Sequence, residues 1–121
     1  MFKISKQFEF SAAHQLSGLP DDHPCARLHG HNYIVVVELE SASLNEVGFV
    51  RDYGELSAVK EYLDKTHDHR NLNDLYDQPT AENIAKRLFH VFHRAFPELV
   101  AVRVSETPKT WAEYCPEVGE L

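Results

Sequence analysis

The segment from Cys25 to His31 combines a thiol and two imidazoles within seven residues, in the order Cys-Ala-Arg-Leu-His-Gly-His. Because alternate side chains of an extended strand leave on the same face, His29 and His31 can both point toward one metal ion. A catalytic zinc usually takes three protein ligands and keeps a fourth position open, so a third ligand must come from elsewhere in the chain. A turn with two exposed imidazoles is the alternative interpretation of this pair.

The predicted third ligand is His14. Residues 2–14 alternate between apolar and polar side chains, as a half-buried strand does, and His14 continues the apolar positions at the end of that strand. Those apolar positions are Phe2, Ile4, Phe8, Phe10 and Ala12, with Lys6 as the exception. An inward histidine can also be a hydrogen-bonded core residue. With His29 and His31 available, a shared metal site is the better interpretation.

Composition excludes several classes of protein. A chain of 121 residues with a formal net charge of -7 is expected to form one domain, and it lacks the basic surface that nucleic acid binding needs. No apolar run approaches the roughly 18 residues of a membrane helix, and the N-terminal segment lacks the apolar centre of a signal peptide. We therefore expect a cytoplasmic protein that is not membrane-bound. Its two cysteines, Cys25 and Cys115, are too few for a disulfide scaffold, so Cys25 is expected to be reduced.

The apolar patterns predict an α+β fold. A second strand over residues 28–40 carries His29 and His31, and it is expected to be central because apolar side chains occupy both of its faces. Antiparallel strands and two helices on one face of the sheet follow from the order of the elements. Further strands are predicted at Phe49–Arg51, Leu99–Val104 and Trp111–Cys115. One helix is predicted at Asp52–Lys65, with a capping box of Asp52 and Glu55, and a second from its cap Thr80 to about Phe96.

Glu106 is a carboxylate on a strand of valines. It continues the spacing of Val100, Val102 and Val104, which places it on the same face as those side chains if the strand extends that far. A buried charge is costly unless it is paired, so an inward Glu106 would need a partner. The alternative is that the strand ends earlier and Glu106 lies in solvent.

Five motifs in order resemble the 6-pyruvoyl-tetrahydropterin synthase family. The resemblance covers nearly the whole chain, and the spacing between Cys25 and His29 is similar to that of the bacterial carboxy-type synthases of queuosine (7-deazaguanine) biosynthesis. The motifs are Ser11-Ala-Ala-His14, Cys25-x-x-x-His29-Gly-His31, Asp68-His69-x-x-Leu72-Asn73, Pro79-Thr80-x-Glu82 and Ser105-Glu106-Thr107.

The resemblance implies a fold and an assembly. The expected fold is the tunnelling fold (T-fold), a four-stranded antiparallel sheet with two helices on one face, formed here by a single domain over residues 1–121. Chains of this family associate into barrels, typically a hexamer of two stacked trimers with active sites between subunits. A homohexamer is therefore expected.

The resemblance also implies a reaction and residue roles. The expected substrate is 7,8-dihydroneopterin 3'-triphosphate, which the carboxy-type enzymes convert to 6-carboxy-5,6,7,8-tetrahydropterin with loss of acetaldehyde and triphosphate. Zn2+ is expected on His14, His29 and His31. Cys25 is the expected catalytic base, Asp68 and His69 are expected proton-transfer partners, and Glu106 is expected to bind the pterin and to join the proton transfer.

Two alternatives stay open at this point. The chain can be a pyruvoyl-type synthase that acts on the same substrate, against which the spacing of Cys25 argues. It can also be a non-catalytic zinc-binding module in which Cys25 is a fourth ligand. A closed site of that kind protects the thiol from alkylation while zinc is bound, whereas an open catalytic site leaves it reactive.

Overall fold

The computed structural model describes residues 1–117 and consists of a sheet and two α-helices. The strands lie in the order β3-β1-β2-β4-β5, and neighbouring strands are antiparallel except β3 and β1, which are parallel. The elements in chain order are β1 (Phe2–His14), β2 (His29–Ser41), α1 (Ser57–Thr66), β3 (Arg70–Asn71), α2 (Ala81–His93), β4 (Leu99–Thr107) and β5 (Thr110–Tyr114), and short 3₁₀ turns occupy Pro24–Ala26, Tyr53–Leu56 and Leu72–Asp74.

The core lies between the helices and one face of the sheet. Phe8 pairs with Val35 and Phe10 with Tyr33 in the β1–β2 register, so the apolar positions of both strands share a face. The helices cover that face with residues spaced three and four apart. The turn before α1 and α1 itself contribute the buried side chains of Leu56, Val59 and Leu63 to this core. The second helix, α2, contributes those of Ile84, Leu88, Phe89 and Phe92.

The α+β fold with both helices against one sheet is confirmed, as are the two long strands and the central position of β2. The Thr80 cap is confirmed as well, because its hydroxyl accepts from the Asn83 amide at 3.2 Å. The second helix ends at His93, a turn earlier than expected. Among residues 1–117, no helix is both long and apolar enough to cross a bilayer.

The four-stranded sheet implied by the resemblance was wrong: the described sheet has five strands. The segment Phe49–Arg51 is a loop, because the Asn45 side chain accepts from the Val47 and Phe49 amides and closes the backbone on itself. The additional strand is β3, which pairs with Ala12 and Ala13 at the end of β1. This short strand directly follows Asp68 and His69 in the chain.

The first helix begins later than the sequence indicates. Asp52 accepts from the Gly54 amide at 2.8 Å and starts a 3₁₀ turn, and the α-helix begins at Ser57. Glu55 does not complete a capping box, because its carboxylate pairs with Arg51 at 2.8 Å. Arg51 also forms two hydrogen bonds with Glu98, at 2.6 and 2.8 Å, and so ties this loop to the start of β4.

Candidate metal centre and active site

Three histidines meet at one end of the two central strands. His14 is paired with His29, and Ala12 with His31, so strand alternation brings all three imidazoles to the helix-facing side. His14 is fully buried, and the inward orientation expected for it is confirmed. The ligand atoms of the three residues all lie within 4.8 Å of one another, so they form a group that can hold a metal ion.

Backbone carbonyls fix the tautomers of two of these rings. Nδ1 of His14 lies 2.7 Å from the carbonyl oxygen of Pro79, and Nδ1 of His29 lies 2.7 Å from that of Arg27. A carbonyl oxygen only accepts, so both Nδ1 atoms donate, and in the neutral rings both Nε2 atoms then carry lone pairs. Those two Nε2 atoms are 3.0 Å apart. Two lone pairs facing each other repel, and a shared cation between them removes the repulsion.

The third imidazole contains an unpaired buried nitrogen. Nε2 of His31 is buried and has no hydrogen-bond partner among the described residues. Oε2 of Glu106 lies 3.3 Å from it, without the alignment of a hydrogen bond. Burial lowers the pKa of His31, the Glu106 carboxylate opposes this shift, and the nearby His14 and His29 imidazoles add to the lowering. The ring is therefore neutral near pH 7, as a metal ligand must be.

The donor set fits zinc. Nitrogens bonded to one tetrahedral zinc lie about 3.3 Å apart at the usual bond length, which is close to the His14–His29 separation. Hydrogen bonds from the opposite ring nitrogens to carbonyl oxygens are the common way to orient imidazole ligands. Sγ of Cys25 is not part of the group of ligand atoms. Three imidazoles without a thiol form the ligand set of an open catalytic zinc site, in which the fourth position is free for water or substrate.

Cys25 lies in a 3₁₀ turn beside the exit of β1. Its carbonyl oxygen accepts from the Leu16 amide at 2.9 Å, and the Gln15 side chain donates to the carbonyl of Ala26 at 2.8 Å. His23, which the sequence places in a loop, caps this turn by accepting from the Cys25 amide at 3.0 Å. The half-buried thiol is thus carried by a segment attached to the strand that ends in His14.

Asp68 and His69 form a hydrogen-bonded pair although they are adjacent in sequence. Side chains of adjacent strand residues diverge, but His69 adopts a φ of +58°, and its ring turns back so that Nδ1 lies 2.8 Å from Oδ2 of Asp68. The other carboxylate oxygen accepts from the Ser11 amide at 2.9 Å. The Ser11 amide is the main cause of a lowered pKa at Asp68, and the bond from His69 adds to it. The imidazole remains largely exposed.

An open cavity of about 760 Å³ joins these groups, with His31, Asp68 and Glu106 in its lining. A neighbouring cavity of about 580 Å³ is lined by His31 and His69. The linings of these two cavities in one chain include the Asp68–His69 pair, Glu106 and His31, and His31 belongs to the three-histidine group. Cys25 lines neither of these two cavities.

Comparison with known proteins agrees with this geometry. The family model described as 6-pyruvoyl tetrahydropterin synthase matches residues 3–117. The chain belongs to the 6-pyruvoyl tetrahydropterin synthase family. The prediction of the family and of an enzyme class from the sequence motifs is confirmed by this match.

Relatives within the 6-pyruvoyl tetrahydropterin synthase family are similar over most of their length. The 6-carboxy-5,6,7,8-tetrahydropterin synthase of Synechocystis sp. is 39% identical over 122 aligned residues, covering 94% of this chain and 93% of the relative. The protein of the same name from Bacillus subtilis is 30% identical and covers 99% and 89%. The structure of 6-pyruvoyl tetrahydropterin synthase from Caenorhabditis elegans superposes with a TM-score of 0.84 at 28% identity, covering 96% of each chain.

Several supporting groups of this family site were missed from the sequence. The hydroxyl of Tyr33 lies 3.1 Å from Nδ1 of His14, and a signal for it exists, since Tyr33 continues the spacing of His29 and His31. The Ser11 amide and the Pro79 carbonyl carry no such signal, because they are backbone atoms. Asn73, a motif residue, accepts from the Gln15 amide and donates to its carbonyl, each at 2.8 Å.

Proposed function

We propose that this protein is a zinc-dependent 6-carboxy-5,6,7,8-tetrahydropterin synthase that acts on 7,8-dihydroneopterin 3'-triphosphate and releases acetaldehyde and triphosphate. The observation that carries the proposal is the pair of tautomer-fixed Nε2 atoms of His14 and His29 beside the unpaired nitrogen of His31 and the carboxylate of Glu106. The names of the relatives at 39% and 30% identity support the carboxy product. A role in queuosine biosynthesis in the cytoplasm is part of the proposal.

Substrate orientation is assigned to Glu106. A pterin ring presents adjacent N–H donors, and a carboxylate with two acceptor oxygens can receive both in a bidentate arrangement. Glu106 lies at the end of β4, with about a quarter of its side chain exposed, in the cavity that His31 also lines. Binding the ring there directs the reacting side chain of the substrate toward the three imidazoles.

Zinc, when bound by His14, His29 and His31, supplies Lewis-acid stabilisation of negative charge that develops on the substrate side chain. The residues of the chain move the protons. Cys25 is assigned as the base, because a thiol near a cation has a larger thiolate fraction and takes up protons near neutral pH. Asp68 accepts from His69 and orients that imidazole, which exchanges protons with the substrate side chain.

Assembly is part of the proposed function. Within one chain, Cys25 lines neither of the two cavities that Asp68 and His69 line. In the described sheet, β3 covers only Ala12 and Ala13 of β1, so most of the outer edge of β1 has no strand beside it, and β5 forms the opposite edge. Free edges favour pairing with another copy. We propose a homohexamer of two trimers, in which a neighbouring copy completes each site. Light scattering of the purified protein tests this, and a monomer contradicts it.

The test of the reaction is incubation of the zinc-loaded protein with 7,8-dihydroneopterin 3'-triphosphate, followed by mass spectrometry of the pterin products and an assay for acetaldehyde. The proposal expects 6-carboxy-5,6,7,8-tetrahydropterin and one equivalent of acetaldehyde. A 6-pyruvoyl product without acetaldehyde would support the pyruvoyl-type alternative. No conversion with zinc bound tightly would support a non-catalytic metal-binding module.

A further inference from the structure

His67 is a buried histidine that the proposed reaction does not use. It directly precedes Asp68 and His69, and none of its surface is exposed. Its ring lies against Phe10 of β1, with centroids 5.3 Å apart, and against Tyr62 of α1 at 5.8 Å. The ring of Tyr76 encloses it from a third side at 5.7 Å. The imidazole therefore lies where three segments meet, next to the turn that carries the catalytic pair.

Hydrogen bonds hold the His67 ring in one tautomer. The Thr66 hydroxyl donates its hydrogen to the carbonyl of Tyr62 at 2.7 Å, so its oxygen accepts from Nδ1 of His67, also at 2.7 Å. Nε2 then carries the lone pair and accepts from the Tyr76 hydroxyl at 2.7 Å. Burial lowers the pKa of His67 to about 4, with Arg87 adding to the shift, so the ring is neutral near pH 7.

Tyr76 is fixed in turn by the second helix. The guanidinium of Arg87 lies 4.9 Å from the centroid of the Tyr76 ring, and Arg87 also donates to the carbonyl of Leu75. The Tyr76 amide donates to the carbonyl of Leu72 at 2.9 Å. The hydroxyl that contacts His67 therefore belongs to a segment that is tied to α2 through Arg87 and to the preceding 3₁₀ turn through Leu72.

The backbone of His67 belongs to the turn itself. Its amide donates to the carbonyl of Leu63 at 3.0 Å, and its carbonyl accepts from the Arg70 amide at 3.3 Å. Between these two bonds the chain passes through Asp68 and through the positive φ of His69. A positive φ at a residue other than glycine costs free energy, so the surrounding structure must hold His69 in this conformation. The His67 side chain is well placed to do so.

We propose that His67 and Tyr76 are positioning residues: their hydrogen bond holds the turn in which Asp68 and His69 face the catalytic cavity. This inference rests on the proposed function, in which that pair transfers protons. The competing explanation is that His67 only fills the core. In that case an aromatic ring of similar shape can replace it without a change in kcat. The two explanations differ when the hydrogen bond is removed and the packing is kept.

Three variants separate the two explanations: Tyr76→Phe, His67→Phe and the double variant with both changes. The single variants leave one buried polar group without its partner, which lowers stability, whereas replacing both partners by apolar groups of similar shape is close to neutral for stability. Val59→Ala is the matched control, because it removes buried volume from α1 at a residue that takes no part in the His67 hydrogen bonds. Each protein is compared at a temperature where it is fully folded.

The measurements are zinc content, kcat, KM and hydrogen exchange by mass spectrometry in the segment 66–71. We expect all three variants to keep zinc and KM and to lose kcat by about ten- to a hundredfold, the scale of a misplaced catalytic group. Exchange in 66–71 should rise about tenfold in the same variants, because the amides of this turn open more often. The control should lose stability and keep kcat and this local exchange rate.

Wild-type kcat and wild-type exchange in the double variant would overturn the proposal and leave His67 as a core residue. If the native protein does not convert the pterin substrate at all, the proposed function fails, and the exchange data still decide whether this hydrogen bond holds the turn. Faster exchange in 66–71 of the double variant supports that holding role, and unchanged exchange rejects it.

Discussion

Oε2 of Glu106 on β4 lies 3.3 Å from Nε2 of His31 on β2. These strands are neighbours in the sheet, and their register brings the two side chains together on the helix-facing side. The contact places the carboxylate assigned to the pterin ring directly beside a proposed metal ligand. In the proposed function, orientation of the substrate and stabilisation of its developing charge therefore take place side by side.

Glu106→Ala should weaken substrate binding and leave zinc in place. Loss of a charge-assisted bidentate contact of about 1.5–3 kcal/mol corresponds to a roughly ten- to hundredfold rise in KM. Glu106→Gln keeps the shape but presents an NH2 group to the pterin donors, so it should bind the substrate poorly as well. Binding of the pterin by titration calorimetry and zinc by elemental analysis on the same preparations test this. Normal binding in both variants would remove Glu106 from the substrate site.

Substitution of a proposed ligand should remove zinc. Loss of a residue that only hydrogen-bonds to a metal ligand lowers metal affinity by up to about 100-fold. Because His29 is proposed as a ligand itself, His29→Ala is expected to lower zinc affinity by more than that. His90→Ala is the control, since His90 is an exposed histidine of α2 outside the cluster. Competition with a chromophoric chelator measures both. Equal zinc affinity of the two variants would refute the three-histidine site.

Cys25→Ala should remove turnover while zinc and the oligomer are kept. The loss of a general base lowers kcat by about 10²-fold or more, and His69→Ala should act in the same direction. The double variant should cost less than the product of the two single effects, because residues that act as a unit are not additive. If Cys25→Ala loses its zinc, the thiol is a ligand and the structural module gains support. Near-normal turnover would place the base elsewhere.

Acidification should destabilise the fold through His67. Its folded pKa of about 4 lies below the ordinary value of 6.5, so between these values the unfolded chain binds a proton that the folded chain does not. Stability from this group is complete above about pH 6.5 and is lost as the pH falls toward 4. At about 1.4 kcal/mol per pKa unit, the loss is roughly 3 kcal/mol.

The difference in urea-unfolding free energy between the wild type and His67→Phe, measured from pH 7.5 to pH 4.5, isolates this contribution, because every other titratable group is present in both proteins. The wild type should lose stability more steeply than the variant. Val59→Ala, which changes no titratable group, should follow the wild-type slope. Parallel curves for the wild type and His67→Phe would contradict a buried neutral imidazole at this position.

Much of the fold and the histidine cluster could be predicted from local pattern. Side chains alternate between the two faces of a strand, so His14 was predicted to face inward with the apolar residues of its strand, and His29 and His31 were predicted to share a face, before any pairing was known. Glu106 followed from the same rule, because β4 continues to Thr107. The Thr80 cap followed from its residue type and place.

The remaining features depend on atoms that meet only after folding. The Pro79 and Arg27 carbonyls that select the tautomers, and the Ser11 amide that binds Asp68, are backbone groups. They are present at almost every position and leave no residue-type signal.

The same reason separates what the sequence determined from what the tertiary structure decided. Residue types and strand alternation determined that His14 and Glu106 face inward and that His29 and His31 share a face. The positive φ of His69, the short β3 strand and the burial of His67 required long-range packing, since an isolated chain has no reason to hold a costly backbone conformation. Contacts between distant segments supply the free energy that holds Asp68 and His69 together.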